Sequence, residues 1–301
     1  MPNHTNPTDT LAGPLLILGA AFLWGTSGTV QAIAPSASTP LHVALIRLVL
    51  GGAFLVAAGL LRRRFSAPRK FLRPVFLLSG FTQTIFNLTY FTGIALTGVA
   101  AGSLLAIGSA PVFTGLLGIV LNGERPQPRW YISSLTAICG VILLAGGSGE
   151  VYIQPLGLFF ALLGGFSYSF YAFLSGRMVR TYPPDAVNGI SFIIAALMLI
   201  PFFFIPFFGG ADMQWMGRIG GLGVVIYLGF FSSGIAYFLF GRGVRLVSTS
   251  TVGPLVLAEP LTASLLGIFF IREPVSVSSL TGMALIFSAQ VLIFTVPKKK
   301  L

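Results

Sequence analysis

Inside the apolar stretches of this chain, a few polar side chains recur at helical spacing. Gln83, Asn87 and Tyr90 stand at i, i+4 and i+7 in a run that is otherwise apolar. This spacing puts two amides and a phenol on one helix face. The stripe has two readings: it binds the carboxylate and ammonium of an amino acid, or it ties helices together by interhelical hydrogen bonds. Trp24, Ser27 and Gln31 stand at i, i+3 and i+7, as do Tyr168, Tyr171 and Ser175; Ser233 and Tyr237 lie one turn apart. Rings with a polar tip stack on an apolar solute while the tip hydrogen-bonds. The same rings also serve as ordinary core or lipid-facing packing. Trp24, Gln83, Asn87, Tyr90, Tyr168, Tyr171, Ser233 and Tyr237 are therefore the expected lining of a cavity for a small solute.

Two charges fall within apolar stretches, Arg47 and Glu259. Such charges are costly in lipid and mark functional positions. Glu259 can carry a proton, bind an ammonium, or accept hydrogen bonds from donors freed by Pro254 and Pro260. Arg47 can snorkel, pair with Glu259, or meet a carboxylate. Pro111, Pro254 and Pro260 lack an amide hydrogen and kink helices, so they are the expected hinge positions. No metal site, cofactor motif or catalytic residue is expected. The two histidines, His4 and His42, lie apart, the one cysteine is Cys139, and no Walker loop or Ser-His pair occurs. A lipid-modifying intramembrane enzyme, the reading from another class, lacks its carboxylate or histidine cluster.

These residues need elements to hold them in lipid. The chain is 55% hydrophobic and 8% charged, against roughly 25% charged in soluble domains. Its apolar runs are continuous, not alternating, which points to helices and not a β-barrel. Ten spans are expected, near 11–33, 40–61, 74–96, 98–121, 130–146, 155–178, 186–208, 218–241, 247–271 and 276–296, behind a mobile tail over 1–10. A repeat orders them. Residues 91–124 return at 240–273, pairing Pro111 with Pro260, Gly118 with Gly267 and Glu124 with Glu273, while Ala110 faces Glu259.

The expected halves are residues 1–148 and 149–301. Five spans in each put the second half upside down relative to the first, and both termini on one side. With the termini cytoplasmic, all but Arg47, Arg218 and Arg272 of the 18 basic residues lie on the inner side. This positive-inside pattern explains the net charge of +11 without nucleic acid. The fold expected is thus all-α, with ten transmembrane helices in two inverted five-helix repeats. Inverted repeats around a midplane site are the architecture of many secondary transporters.

An early AAFLWG, an arginine in the second span, AP…LLG…GE and then AEP…LLG…RE resemble the EamA-type exporters of the drug/metabolite transporter superfamily. The likeness spans nearly the whole chain and rests on the order and duplication of motifs that are individually weak. It implies a non-enzymatic exporter in the bacterial inner membrane. The aromatic residues most resemble those of family members that export aromatic amino acids, with broader export of drugs or toxic metabolites as the alternative. The expected partners are a small-molecule substrate and the lipid bilayer, with the protein acting as a monomer. The Glu-Pro pattern is shared by members with differing substrates, which favours a structural role for Glu259. One departure is that Phe166 and Ser167 stand where the first half has Trp24 and Gly25.

Overall fold

The computed structural model describes residues 7–32, 40–63, 73–97, 99–146, 154–204, 214–217, 219–272 and 275–294, and these residues contain helices and no strand. In chain order the α-helices are α1 (Pro7–Ala32), α2 (Pro40–Leu61), α3 (Pro74–Thr97), α4 (Val99–Gly108), α5 (Ala110–Asn122), α6 (Pro128–Gly146) and α7 (Pro155–Met178). They continue with α8 (Pro184–Phe203), α9 (Ile219–Ile226), α10 (Ala236–Gly243), α11 (Thr249–Val256), α12 (Ala258–Leu266) and α13 (Val277–Phe294). Six of them begin on proline. Its ring presets the helical φ, and its missing N–H falls where a helix has no acceptor to offer. α1 begins at Pro7, so the expected tail is helical over residues 7–10; residues 1–6 lie outside the described set.

Three expected spans are not uniform α-helices. The stretch 98–121 is divided at Ser109 between α4 and α5, and 247–271 is divided at Leu257 between α11 and α12. The cause is proline: Pro111 and Pro260 cannot donate to the carbonyls of Ile107 and Val256. At the second break the ladder tightens, and the Leu257 amide donates to the Pro254 carbonyl at 3.3 Å. The stretch 218–241 joins α9 to α10 through a π-helical segment, Tyr227–Ile235, and a second one, Gly267–Ile271, follows α12. π segments are rare and gather at functional sites.

Among the described residues, seven stretches are long and apolar enough to cross a membrane, at 41–61, 104–122, 128–146, 155–178, 184–202, 220–243 and 249–270. Shorter apolar helices run over 11–27 and 277–293. Their outer faces carry exposed Phe269, Phe270, Val277 and Phe287, a belt that water would not tolerate and lipid requires.

Packing repeats when the two halves are exchanged. α6 packs along α13 and α2 along α8. The pair α3–α7 has its counterpart in α10–α1, and α5–α7 in α12–α1. At α6–α13, Gly140 and Gly282 lie against each other's backbone carbonyls, so a Cβ at either would push the helices apart. Ser133 and Ser278 donate across this seam to the carbonyls of Ala289 and Leu143 at 2.8 and 2.6 Å.

Candidate functional site

A cavity opens where the two sets of helices meet. It encloses about 70 Å³ within a recess of about 700 Å³ that includes space continuous with solvent. Trp24 reaches it from α1, Arg47 from α2, Gln83, Phe86, Asn87 and Tyr90 from α3, and Tyr168 from α7. Phe192 of α8, Ser233 of the π segment, Tyr237 of α10 and Glu259 of α12 complete the wall, with Ile107 and Val256 at the two breaks. The helical spacing of Gln83, Asn87 and Tyr90 thus does bring all three to one surface.

The rings form a connected half-shell. Tyr90 lies 5.3 Å from Phe86, and Phe86 5.5 Å from Tyr168. Tyr168 meets Trp24 edge-on at 6.2 Å, and Trp24 lies 4.9 Å from Tyr237. Tyr237 in turn lies 4.4 Å from Phe192. These tilted and edge contacts suit the ring quadrupoles and fix the ring orientations.

The polar groups are incompletely paired. Trp24 Nε1, Gln83 Nε2 and the Tyr168 hydroxyl are buried with no hydrogen-bond partner among the described residues. Native structures pair nearly all such groups, so three orphans on one cavity wall call for an explanation. Others are held: Asn87 Nδ2 donates to the Gln83 carbonyl at 2.7 Å, and Arg47 Nε to Ser233 Oγ at 3.1 Å. Among the described residues, no cation lies within 4 Å of the Glu259 carboxylate. The two ion pairs found there both belong to Asp185.

The EamA-like transporter model matches residues 11–146 and again 155–295. The chain belongs to the EamA-like transporter family. Membership accounts for the duplication, since each half carries one EamA unit. Over 286 residues the chain is 38% identical to an uncharacterized transporter of Bacillus subtilis (strain 168), YwfM, covering 95% of both chains. It is 25% identical to the threonine/homoserine exporter RhtA of Escherichia coli (strain K12), covering 91% of this chain and 88% of that one. It is also 25% identical to the uncharacterized inner membrane transporter YicL of Salmonella typhimurium, covering 95% and 96%. A solved crystal structure superposes with a TM-score of 0.80 at 23% identity, over 95% and 96% of the two chains, which supports the fold. Family and relatives are membrane transporters, which points away from an enzyme.

Within this EamA frame, every expected cavity residue except Tyr171 reaches the cavity. Tyr171 stands one layer behind the wall: its hydroxyl donates to Asn188 Oδ1 at 2.8 Å, as Ser175 does at 3.1 Å. Asn188 Nδ2 then donates to the Tyr237 carbonyl at 2.7 Å. The 3.6-residue period turns Tyr171 from the cavity toward α8. Ser27 also turns away and donates to the Trp24 carbonyl of its own helix, while the Gln31 side chain is outside the described set. Opposite Trp24 stands Tyr168, whereas Phe166, the expected counterpart, is partly exposed. Of the hinge prolines, Pro111 and Pro260 sit at breaks. Pro254 lies within α11, and its carbonyl accepts from Gln290 Nε2 at 2.6 Å.

Sequence reasoning missed Phe86, Phe192 and Asn188. The two phenylalanines have no signal in a chain with 28 of them. Asn188, buried in an apolar run one turn after Asp185, carried the same polar-in-lipid signal as Gln83. The repeated Glu of the LLG…GE motif also gains a structural account. Glu124 lies beyond α5 and accepts from the amides of Thr249 and Ser250 at 2.8 and 3.0 Å, so it caps the first turn of α11 from the other half. Burial opposes its ionisation. The Ser250 hydroxyl, the Ser250 and Thr249 amides and the Asn122 amide outweigh burial and hold its carboxyl below the ordinary value of 4.5. Its repeat mate Glu273 is outside the described residues.

Proposed function

We propose that this EamA transporter exports aromatic or large neutral amino acids and similar metabolites across the bacterial inner membrane. Its cavity alternates between the two sides. Ten transmembrane helices in two inverted halves, with cytoplasmic termini and a monomeric protein, belong to the same reading. The observation that carries it is the half-shell of rings from Tyr90 to Phe192 bearing three unpaired buried polar groups. Such a surface stacks a flat side chain and supplies hydrogen bonds to its polar end. The resemblance we read in the aromatic residues, to the aromatic amino acid exporter YddG, points to this cargo. RhtA supports amino acids as the class.

The cavity volume of about 70 Å³ is well below the roughly 300–1,000 Å³ of small-molecule sites. A substrate enters only when the walls part. The breaks at Ser109 and Leu257 flank the cavity through Ile107 and Val256, and they are the proposed hinges. The test is counterflow of labelled phenylalanine, tryptophan and threonine into proteoliposomes. The expected result is saturable uptake with the aromatic substrates ahead. Uptake equal to protein-free vesicles for all three would refute the proposal.

A further inference from the structure

The two charges inside the apolar core face the same cavity and do not neutralise each other. Arg47 stands on α2 and Glu259 in the first turn of α12, from opposite halves of the chain. They are too far apart to count as an ion pair, because Asp185 takes part in every pair within 4 Å among the described residues. Arg47 spends only Nε on the protein, donating to Ser233 Oγ at 3.1 Å. Its two terminal nitrogens, the fork that grips a carboxylate from two sides, have no partner among the described residues. Glu259 likewise has no hydrogen-bond donor there.

Separated, unpaired charges in an apolar interior are costly. A structure that only needed both residues for packing would close them onto each other. A ligand that carries the opposite charges at the matching separation recovers the loss. We infer that Arg47 and Glu259 form a zwitterion clamp that determines substrate specificity: Arg47 takes the carboxylate and Glu259 the ammonium of an α-amino acid, while the aromatic half-shell takes its side chain. Trp24 Nε1 and Gln83 Nε2, buried donors without partners among the described residues, line the same cavity. This inference rests on the amino acid reading above. It adds that the transporter requires both charges, and it excludes aromatic monoacids, amines and uncharged solutes as good substrates.

The test uses the full-length protein in proteoliposomes. Labelled phenylalanine is the substrate, and the competitors are phenylalanine, phenylalaninamide (no carboxylate) and 3-phenylpropionate (no ammonium). In the unsubstituted protein each analogue is expected to compete at least about tenfold more weakly than phenylalanine, the scale of one lost charge-assisted hydrogen bond. Glu259→Gln is expected to collapse the advantage over 3-phenylpropionate and keep the advantage over phenylalaninamide. Arg47→Gln is expected to do the reverse. These are ratios within one preparation, so they are readable even where yield or rate falls. Glu259→Asp and Arg47→Lys keep the charge and should retain discrimination. If the neutral variants change both ratios equally, or neither, the clamp is wrong; the same holds if the charge-keeping variants lose discrimination as fully as the neutral ones. Phenylalanine transport with unsplit ratios overturns the clamp alone. No amino acid transport by the unsubstituted protein overturns the amino acid reading and the clamp with it.

Discussion

Glu124 offers the sharpest test of how the halves are joined. Its carboxylate reaches out of the first half to receive the Thr249 and Ser250 amides of α11 at 2.8 and 3.0 Å. Asn122 Nδ2 supports it at 3.3 Å and also donates to Thr249 Oγ1 at 3.0 Å. The chain is turned to deliver it by Gly123, which closes α5 at φ 65°, a left-handed conformation that glycine adopts without strain. Losing a helix N-cap costs about 0.5–2 kcal/mol, and losing a negative charge at a helix N-terminus about 0.3–1 more. Glu124→Ala should therefore destabilise the protein by about 2 kcal/mol. At about 2–4 °C per kcal/mol for chains near this size, the melting point should fall by roughly 4–8 °C.

Trp130 makes the change visible. Its Nε1 donates to the Ser250 carbonyl at 2.8 Å, beside the capped amides, and its ring lies against Gly115. Melting of the purified protein, followed by tryptophan emission, is the assay. Glu124→Gln keeps an acceptor and loses the charge, so it should fall between wild type and Ala. The pH dependence has a definite sign. The folded carboxyl titrates below its ordinary value, so its contribution is complete above the unfolded value of about 4.5. It disappears as pH falls through the folded value. The wild-type advantage over Glu124→Ala should be constant from pH 8 to about 6 and shrink below about 4.5. A Glu124→Ala protein melting within about 1 °C of wild type, with unchanged Trp130 emission, would falsify the cap.

Three further outcomes are expected. Asn188→Leu strips the partners from the Tyr171 and Ser175 hydroxyls and the Tyr237 carbonyl; at about 1–3 kcal/mol per orphaned buried group, it should cost more stability than Glu124→Ala in the same melt and disorder the wall behind Tyr237. Asp185→Asn breaks a pair buried on the acid side, with Arg242 at 2.9 Å and Arg62 at 3.6 Å over the Phe238 ring; a loss of about 3–5 kcal/mol is expected, read as poor yield of folded protein at a fixed detergent concentration. Tyr168→Phe removes a hydroxyl that has no partner, so the empty protein should melt at or slightly above the wild-type temperature while phenylalanine counterflow weakens; a clear fall in melting temperature would mean that the hydroxyl is paired after all.

The frame was legible because membrane spans and repeats are written in long runs. Continuous apolar segments and a fixed offset between halves survive any local ambiguity, and the paired helix contacts follow from them. The polar stripe of α3 was legible for the same reason: an amide in lipid has few places to go, and period 3.6 says which amides go together. Tyr171 shows the limit. Tyr168 and Tyr171 differ by a rotation of about 300°, at 100° per residue. That left both near one face, and only the position of Asn188 on another helix decided that Tyr171 points away. The π segment over Tyr227–Ile235 shifts the phase of everything after it, which no regular period anticipates.

The asymmetry between Ala110 and Glu259 shows what duplication does and does not carry. Pro111 and Pro260 stand at equivalent places, and each places a break beside the cavity through Ile107 or Val256. The residue just before each proline follows its own helix's surroundings. Ala110 is fully buried against the other half, its carbonyl close beside Gly253, where a carboxylate would have neither room nor a donor. Glu259 lies on the cavity side, partly exposed to that space. The duplicated backbone therefore makes a symmetric pair of breaks, while the chemistry can reside on one of them only. Introducing a carboxylate by Ala110→Glu should destabilise the α5–α11 contact and leave the charge of the cavity unchanged. Removing the carboxylate by Glu259→Gln should leave the fold intact and change what the cavity accepts. Equal effects of the two substitutions on folding would show that the Glu259 position, too, is packing.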